Sequence, residues 1–249
     1  MLVGIDLGSR TIKLAVTRNG QIVDQQLAES GFDPYGQSMA MLDRYTPQRV
    51  VATGYGRHLA QKHFAQEVIT EIKAHAIGAR HFFPDCSTVV DIGGQDSKVI
   101  ALNEEGRVVN FQMNDKCAAG TGRFLEIMAA TLGFRLEEFG PAALESQTEV
   151  AINNMCTVFA ESEVISMKNQ GTPPQDIARG VHLSVVGRLV AMLNRVGCGR
   201  QVVFSGGVAR NPCVVHLLQE RLNEVELVTP PAPDMVGAIG AAIHAGRIS

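Results

Sequence analysis

The sequence predicts an α/β protein that is built from two related halves. The first observation is a repeated pair of strands: an apolar strand ends in an aspartate, and a glycine turn leads to a strand with a lysine. Asp6 and Lys13 in the first copy correspond to Asp91 and Lys98 in the second, at one offset (91 − 6 = 85, 98 − 13 = 85). The second observation is that strand-like apolar runs alternate with segments of helical periodicity. A duplication of this kind predicts two similar units.

The first half begins with two hairpin turns. Residues 2–16 have the pattern of strand, glycine turn and strand, and Asn19-Gly20 is a second turn before another short strand. Pro84-Asp85 is the predicted boundary between the halves. The other predicted elements are a helix over residues 36–45, a strand over 49–52, a glycine turn over 53–57 and a helix over 69–81.

The second half contains two helices that each follow a cysteine. Helical periodicity begins behind Cys117 and again behind Cys156, where the helix is expected to end near Gly171. A loop is predicted between them at Gly140-Pro141. The remaining predicted elements are a long helix over residues 176–196, a strand over 201–204, a glycine turn over 205–211, a helix from about residue 214, a rigid connector over 229–233 and a closely packing small-residue helix over 237–242.

Composition excludes several classes of function. The net charge is −3 and no long basic run occurs, so neither nucleic-acid binding nor an anionic membrane surface is indicated. No apolar run approaches the ~20 residues of a membrane span, and the start of the sequence lacks the features of a signal peptide. We therefore expect a cytoplasmic protein, in which five cysteines favour reactivity or metal binding over disulfides.

The repeated glycine turns predict phosphate binding. Glycine has no Cβ, so backbone N–H groups in such a turn can line a phosphate. Asp6 and Asp91 end the preceding strands and are suited to Mg²⁺, which prefers few carboxylates together with substrate phosphates. Lys13 and Lys98 are candidates for neutralising phosphate, although a strand lysine is more often simply solvated. The P-loop pattern and the Rossmann glycine fingerprint are both absent.

The two cysteines that precede helices form a second constellation. The positive end of a helix dipole favours a thiolate. Cys117 and Cys156 are 39 residues apart (156 − 117 = 39), which matches neither CxxC zinc pairs nor CxxCxxC cluster runs, and burial as small apolar residues is the alternative. Two ligands cannot complete a tetrahedral thiolate site, whereas two copies of the chain would supply four. The other cysteines (Cys86, Cys198 and Cys213) are interpreted as structural, and the histidines as surface or core residues.

With these residues identified, the whole chain resembles the ATP-dependent activators of 2-hydroxyacyl-CoA dehydratases, also called archerases, which are related to the ATP-binding subunits of benzoyl-CoA reductase. The most specific segments are residues 90–98, 114–124 and 156–163. The resemblance implies an actin/Hsp70/sugar-kinase fold with two RNase H-like domains and ATP in the cleft between them. We expect residues 1–85 and 234–249 to form the first domain and residues 86–233 the second.

The resemblance also implies the roles of individual residues. Asp6, Asp91 and Gln95 are expected to be catalytic, with Gln95 orienting the attacking water. Cys117 and Cys156 of two chains are expected to hold one [4Fe–4S] cluster per homodimer, and the segment 205–211 looks like the adenosine loop. The residues expected to bind ATP or ADP with Mg²⁺ are Gly8, Ser9, Arg10, Thr11, Lys13, Gly93, Gly94, Asp96, Ser97, Lys98, Gly120, Thr121, Gly122, Gly206, Gly207, Val208 and Asn211.

These expectations combine into an ATPase that donates electrons. The resemblance implies ATP-driven one-electron transfer to a dehydratase or, because the loops are short, to a double-cubane-cluster reductase. An upstream ferredoxin or flavodoxin is the expected electron source. Two alternatives stay open, a small-molecule kinase of the same fold and a non-enzymatic nucleotide sensor. Glu161 and Glu163 are candidates for acid–base residues, but a solvated helix face is the simpler interpretation.

Overall fold

A computed structural model describes residues 1–153 and 156–247 of the chain. Asn154 and Met155, in the segment before Cys156, and the last two residues of the predicted first domain lie outside the described residues. The described part folds into two five-stranded sheets with helices on their faces. The first sheet contains β1 (Leu2–Leu7), β2 (Thr11–Arg18), β3 (Gln21–Glu29), β4 (Arg49–Thr53) and β5 (Glu67–Val68). The second contains β6 (Thr88–Ile92), β7 (Ser97–Leu102), β8 (Val108–Asn114), β9 (Gln201–Ser205) and β10 (Glu226–Val228).

The two sheets repeat one topology, which confirms the predicted duplication. Their strand orders are β3-β2-β1-β4-β5 and β8-β7-β6-β9-β10, with the first three strands antiparallel and the last two added in parallel. The register is also the same, since Asp6 pairs with Lys13 and Asp91 pairs with Lys98. Each aspartate therefore lies beside its lysine at the end of a hairpin.

Helices cover the sheets and join them. Their bounds are α1 (Pro34–Leu42), α2 (Arg57–His63), α3 (Glu71–Phe82), α4 (Gly122–Leu132), α5 (Leu136–Glu145), α6 (Thr157–Asn169), α7 (Pro174–Val196), α8 (Pro212–Leu222) and α9 (Val236–Ala245). The short elements α2, β5 and β10 were not predicted. The largest apolar core lies between the second sheet and helices α4 to α8, and it includes Phe124, Phe139 and Phe204.

The predicted loop at Gly140-Pro141 is wrong, because both residues lie inside α5. Proline removes a helical hydrogen bond, so it usually ends a helix away from the first turn. Here packing outweighs that cost. Phe139 and Ala143 are fully buried in the largest apolar core. Gly140 lies so close to α8 that a Cβ there would be 2.6 Å from Oδ1 of Asn211.

The small-residue helix α9 packs closely, as predicted. A Cβ at Gly4 of β1 would lie 2.1 Å from the Ala238 carbonyl, and a Cβ at Gly240 would lie 1.8 Å from the Ala74 carbonyl of α3. These contacts hold α9 against the first sheet and against α3. Among residues 1–153 and 156–247, no helix combines the length and hydrophobicity that a membrane crossing requires.

Candidate nucleotide and thiolate sites

A cleft of about 530 Å³ lies between the two sheets, and both hairpins open into it. The turn after β9 forms a third wall. Most of the residues predicted to bind nucleotide line this cleft. They are Asp6, Gly8, Ser9, Arg10, Thr11, Lys13, Asp91, Gly93, Gly94, Asp96, Lys98, Gly122, Gly206, Gly207, Val208 and Asn211.

Four of the predicted residues lie outside the lining of the cleft. Gln95 is exposed beyond the second glycine turn. Ser97 is buried, with its hydroxyl 3.9 Å from Sδ of Met192. Thr121 is also buried, and its hydroxyl donates to the Ala118 carbonyl at 2.6 Å, which shapes the loop before α4 together with Gly120. Their roles in nucleotide binding stay predictions.

The second hairpin holds a buried cation among three carboxylates. Nζ of Lys98 lies 2.8 Å from Glu71, 2.8 Å from Asp96 and 3.3 Å from Asp91, and the lysine side chain is 2% exposed. Burial lowers the pKa of Lys98, but the three carboxylates outweigh burial and raise it above its ordinary value. Lys98 is therefore a permanent charge within the site, and the alternative of a solvated strand lysine is wrong here.

The first hairpin repeats this arrangement in a more open form. Nζ of Lys13 lies 3.3 Å from Asp6, with side chains 17% and 9% exposed. Burial lowers the pKa of Lys13, but the carboxylates of Asp6 and Asp91 raise it by more, so the pKa lies above its ordinary value. The cleft thus has one lysine saturated by carboxylates and one with fewer partners that faces the same space.

Two side chains of α3 complete the site, and the sequence analysis missed both. Glu71 opens α3 after the N-cap Thr70 and pairs with Lys98, while burial raises the pKa of Glu71. Nδ1 of His75 lies one turn further on, 3.3 Å from Oδ1 of Asp91. The expectation that every histidine is a surface or core residue therefore overlooked one in the site. No local motif links α3 to the hairpin, so only the fold identifies these residues.

Asp91 is held by several groups at once. The Ser205 hydroxyl donates to Oδ1 of Asp91 at 2.9 Å, and His75 contacts the same oxygen. Burial alone raises the pKa of Asp91, but His75, Lys98 and Ser205 outweigh burial and hold it below the ordinary value. The carboxylate is therefore ionised and fixed in orientation. On the neighbouring turn, Oδ2 of Asp96 is buried without a hydrogen-bond partner, so it is an acceptor that the described chain leaves unsatisfied.

Glycine is required at two turns of the cleft. A Cβ at Gly93 would lie 2.8 Å from Oδ1 of Asp96, within the turn where Gly93 N–H donates to the Asp96 carbonyl. Gly206 has a φ of +86°, and a Cβ there would lie 2.2 Å from the Ile92 carbonyl. Gly207, in contrast, faces open space. A side chain at either position would therefore collide with the neighbouring turn or strand.

Part of the cleft is apolar. Leu125, Leu136 and Val208 line it beside Asn211. Asn211 caps α8 by accepting from two backbone N–H groups, and its amide donates to Nε2 of His182 at 3.0 Å. The other ring nitrogen of His182 donates to the Ala178 carbonyl at 2.7 Å. Burial lowers the pKa of His182 to about 4, so a neutral ring holds Asn211 in place.

The second glycine turn is hydrogen-bonded directly to the start of α4. Gly122 N–H donates to the Gly93 carbonyl and Arg123 N–H donates to the Gly94 carbonyl, both at 2.9 Å. Cys117 is exposed in the loop between β8 and α4. The start of α4 is therefore hydrogen-bonded to the second glycine turn, and the loop that carries Cys117 directly precedes this helix in the chain.

The cysteines separate into exposed and buried groups. All five lie in the described part of the chain and none forms a disulfide. Cys156 is the N-cap of α6 and is exposed, as predicted, whereas Cys86 and Cys213 are buried. Burial raises the pKa of Cys86 to about 11 and of Cys213 to about 12, so both are inert thiols at neutral pH. Cys198 is exposed, but it does not precede a helix.

An apolar face adjoins Cys156 on the same helix. Val158, Phe159 and Ile165 of α6 are 65%, 63% and 43% exposed. Large side chains so exposed on one helix commonly mark an interaction surface. Among the described residues, no three His, Cys, Asp or Glu side chains come together as a metal site.

Comparison with known proteins agrees with this geometry. The model of the BadF/BadG/BcrA/BcrD ATPase family matches residues 3–245. Component A of (R)-2-hydroxyglutaryl-CoA dehydratase from Acidaminococcus fermentans is 41% identical, with a TM-score of 0.93 over 99% of this chain and 97% of that one. The activator of 2-hydroxyisocaproyl-CoA dehydratase from Clostridium difficile, solved with bound ADPNP, is 40% identical, with a TM-score of 0.89 over 98% and 93%.

A more distant structure confirms the predicted class of fold. A ROK family glucokinase from Streptomyces griseus has a TM-score of 0.61 at 13% identity, over 99% of both chains. At this identity the likeness concerns the fold alone, which is of the predicted actin/Hsp70/sugar-kinase type. The family match covers nearly the whole sequence and agrees with the duplicated hairpins around the cleft. This chain therefore belongs to the BadF/BadG/BcrA/BcrD ATPase family.

Proposed function

We propose that this chain is an ATP-hydrolysing iron–sulfur electron donor that activates a partner enzyme by ATP-driven one-electron transfer. The observation that carries the proposal is the direct bonding of the Gly93 and Gly94 carbonyls to the first two residues of α4. It connects a phosphate loop of an ATPase to the helix behind an exposed cysteine. The partner we favour is a 2-hydroxyacyl-CoA dehydratase or a related double-cubane-cluster reductase, because related proteins are activators or components of such dehydratases.

The cleft fits ATP with Mg²⁺. The glycine turns present backbone to a phosphate chain, and the apolar end beside Val208 suits an adenosine group. Asp6 and Asp91 would hold Mg²⁺, and the unsatisfied Oδ2 of Asp96 would accept from water around the ion. Bound Mg²⁺ would neutralise charge that develops on the phosphates. Asp91 is kept ionised and oriented for this task by His75, Lys98 and Ser205.

Cys117 and Cys156 fit a cluster that is shared by two chains. Both thiols are exposed, and no third ligand is gathered with them in the described residues. A two-fold axis would supply the other two thiolates of a four-cysteine site. The exposed face of α6, formed by Val158, Phe159 and Ile165, would then be covered by the second copy. Such a cluster supplies a low-potential electron when it is bound.

The chain's own residues would couple the two sites. ATP in the cleft contacts both hairpins and therefore favours closure of the two halves, which is a hinge motion. Because Gly93 and Gly94 hold the start of α4, closure would shift that helix and the Cys117 loop with it. The dipole of a helix stabilises an anionic group by ~0.3–1 kcal/mol when it is exposed. A shift of α4 or α6 would therefore change the environment of the thiolates.

The chain would divide into two domains and would receive its electrons from another protein. The domain division into residues 1–85 with 234–249 and residues 86–233 places α9 with the first sheet, and the close contact between Gly4 and Ala238 supports that placement. A ferredoxin or flavodoxin would supply electrons from upstream to the site of the exposed Cys117 and Cys156. The protein would act in the cytoplasm.

Anaerobic purification tests this function against its rivals. The proposed donor should be brown, with about four irons per two chains. Cys117→Ser and Cys156→Ser should each abolish the colour, whereas Cys198→Ser, which removes another exposed thiol, should keep it. A colourless protein that still hydrolyses ATP would favour a small-molecule kinase. A colourless protein that binds ATP without turnover would favour a nucleotide sensor.

A further inference from the structure

A charged pair crosses the cleft between the first hairpin and α4. Nη1 of Arg10 lies 2.6 Å from Oε2 of Glu126, and both residues line the cleft. On the way, the stem of Arg10 passes over the second glycine turn, where a Cβ at Gly94 would lie 3.0 Å from Cδ of Arg10. The arginine of the first phosphate loop therefore lies over the second phosphate loop and ends on the helix behind Cys117.

In this position Arg10 can bind either the carboxylate of Glu126 or a phosphate in the cleft. A guanidinium binds carboxylate and phosphate with the same fork of N–H donors. A phosphate chain in the cleft carries more charge than one carboxylate, so it is the stronger partner for an arginine in the phosphate loop. The pair is also partly solvated, with side chains 44% and 25% exposed, so separating it costs little.

Glu126 is not left alone when Arg10 leaves. Nη1 of Arg123 lies 3.1 Å from the same carboxylate oxygen, one turn earlier on α4. Arg123 does not line the cleft, so it stays with Glu126 when a nucleotide is bound. The three side chains therefore form an exchangeable set, in which the carboxylate keeps one arginine and releases the other.

We propose that Glu126 is an internal competitor of the nucleotide for Arg10. Glu126 holds the guanidinium while the cleft lacks phosphate, and the phosphates of ATP take it over. The exchange breaks the side-chain contact between Arg10 and α4. It leaves the backbone hydrogen bonds from α4 to Gly93 and Gly94 intact. This inference deepens the proposed function and rests on it, because it assigns a regulatory contact of the same nucleotide site.

Calorimetric titration with Mg²⁺ and ADPNP tests the exchange in wild-type protein and in Glu126→Gln, Arg10→Ala and the double variant. Exposed ion pairs contribute ~0.2–1 kcal/mol, so Glu126→Gln should tighten binding about 1.4- to fivefold. Arg10→Ala should weaken binding. In the Arg10→Ala background, Glu126→Gln should have no effect, because the arginine through which it acts is absent.

A matched variant separates exchange from general repulsion. Glu137 also lines the cleft and pairs with Arg135 outside it, so Glu137→Gln removes a carboxylate that does not engage Arg10. Its affinity for ADPNP should rise less than that of Glu126→Gln, and equal tightening by the two variants would assign the effect to general repulsion and overturn the inference. The inference is overturned if Glu126→Gln leaves affinity unchanged or weakens it, or if it tightens binding equally without Arg10. Absence of ADPNP binding by wild-type protein would instead overturn the proposed function itself.

Discussion

Replacing Lys98 by methionine is the sharpest test of the charge cluster in the second hairpin. Methionine keeps the length of the side chain but removes the charge that three carboxylates share. Asp96 and Glu71 would lose the cation that lies 2.8 Å from each, and Asp91 would lose one of the groups that hold its pKa below the ordinary value. These carboxylates are largely buried, since the side chains of Asp91, Asp96 and Glu71 are 4%, 6% and 15% exposed.

The expected cost follows from this burial. Removing one partner of a buried ion pair destabilises a protein by ~3–5 kcal/mol, because an uncompensated charge is left inside. Native proteins are stable by only ~5–15 kcal/mol, so Lys98→Met would remove a large fraction of the total. In urea unfolding of the nucleotide-free protein, with a slope of ~3 kcal/mol per molar, the midpoint should fall by ~1–2 M.

The duplication supplies the control for this experiment. Lys13→Met removes the equivalent lysine of the first hairpin, which is 17% exposed and lies 3.3 Å from the carboxylate of Asp6. Loss of one hydrogen bond to a charged group costs ~1.5–3 kcal/mol when it is buried, and less with solvent access. Lys13→Met should therefore be clearly the milder variant. Equal losses from the two variants, or a change below ~1 kcal/mol for Lys98→Met, would refute this account of the cluster.

Three predictions concern nucleotide chemistry. Asp91→Asn should reduce ATP hydrolysis by a few orders of magnitude while iron content stays constant, and unchanged turnover would remove the metal-holding role. Gln95→Ala should bind ATP but hydrolyse it slowly. Because Gln95 is exposed outside the lining of the cleft, normal turnover would show that it only completes the turn. Gly207→Leu should fill open space, so calorimetry should show weak ATP binding at an unchanged melting temperature. Gly206→Ala should instead lower the melting temperature, because its Cβ meets backbone.

The parts of the fold that were predictable depend on local chemistry. The two hairpins share aspartate, glycine and lysine at one spacing, and the structure places both copies in the same register. Cys156 precedes an obvious helical pattern, and it caps that helix. These features depend on residues that are neighbours in the sequence, so periodicity and turn chemistry suffice to identify them.

The parts that were missed depend on tertiary contacts. Glu71 and His75 reach the site from a helix about 20 residues before Asp91, and an ordinary amphipathic pattern does not distinguish them from surface residues. The helix through Pro141 persists because its neighbours are buried against α7 and α8, which no local preference reveals. The contact between Arg10 and Glu126 joins residues 116 positions apart. Each of these features follows from how the halves close, so the sequence pattern alone does not reveal it.

The most direct test of the central claim measures whether the nucleotide cleft controls the thiolate site. Anaerobically prepared protein would be exposed to an iron chelator with Mg²⁺-ATP, with Mg²⁺-ADP and without nucleotide, and iron release would be followed by absorbance. A hinge that moves α4 changes solvent access at Cys117, so we expect the release rate to depend on the nucleotide and to lose that dependence in Asp91→Asn. Protein without iron, or one rate under all three conditions, would contradict the account.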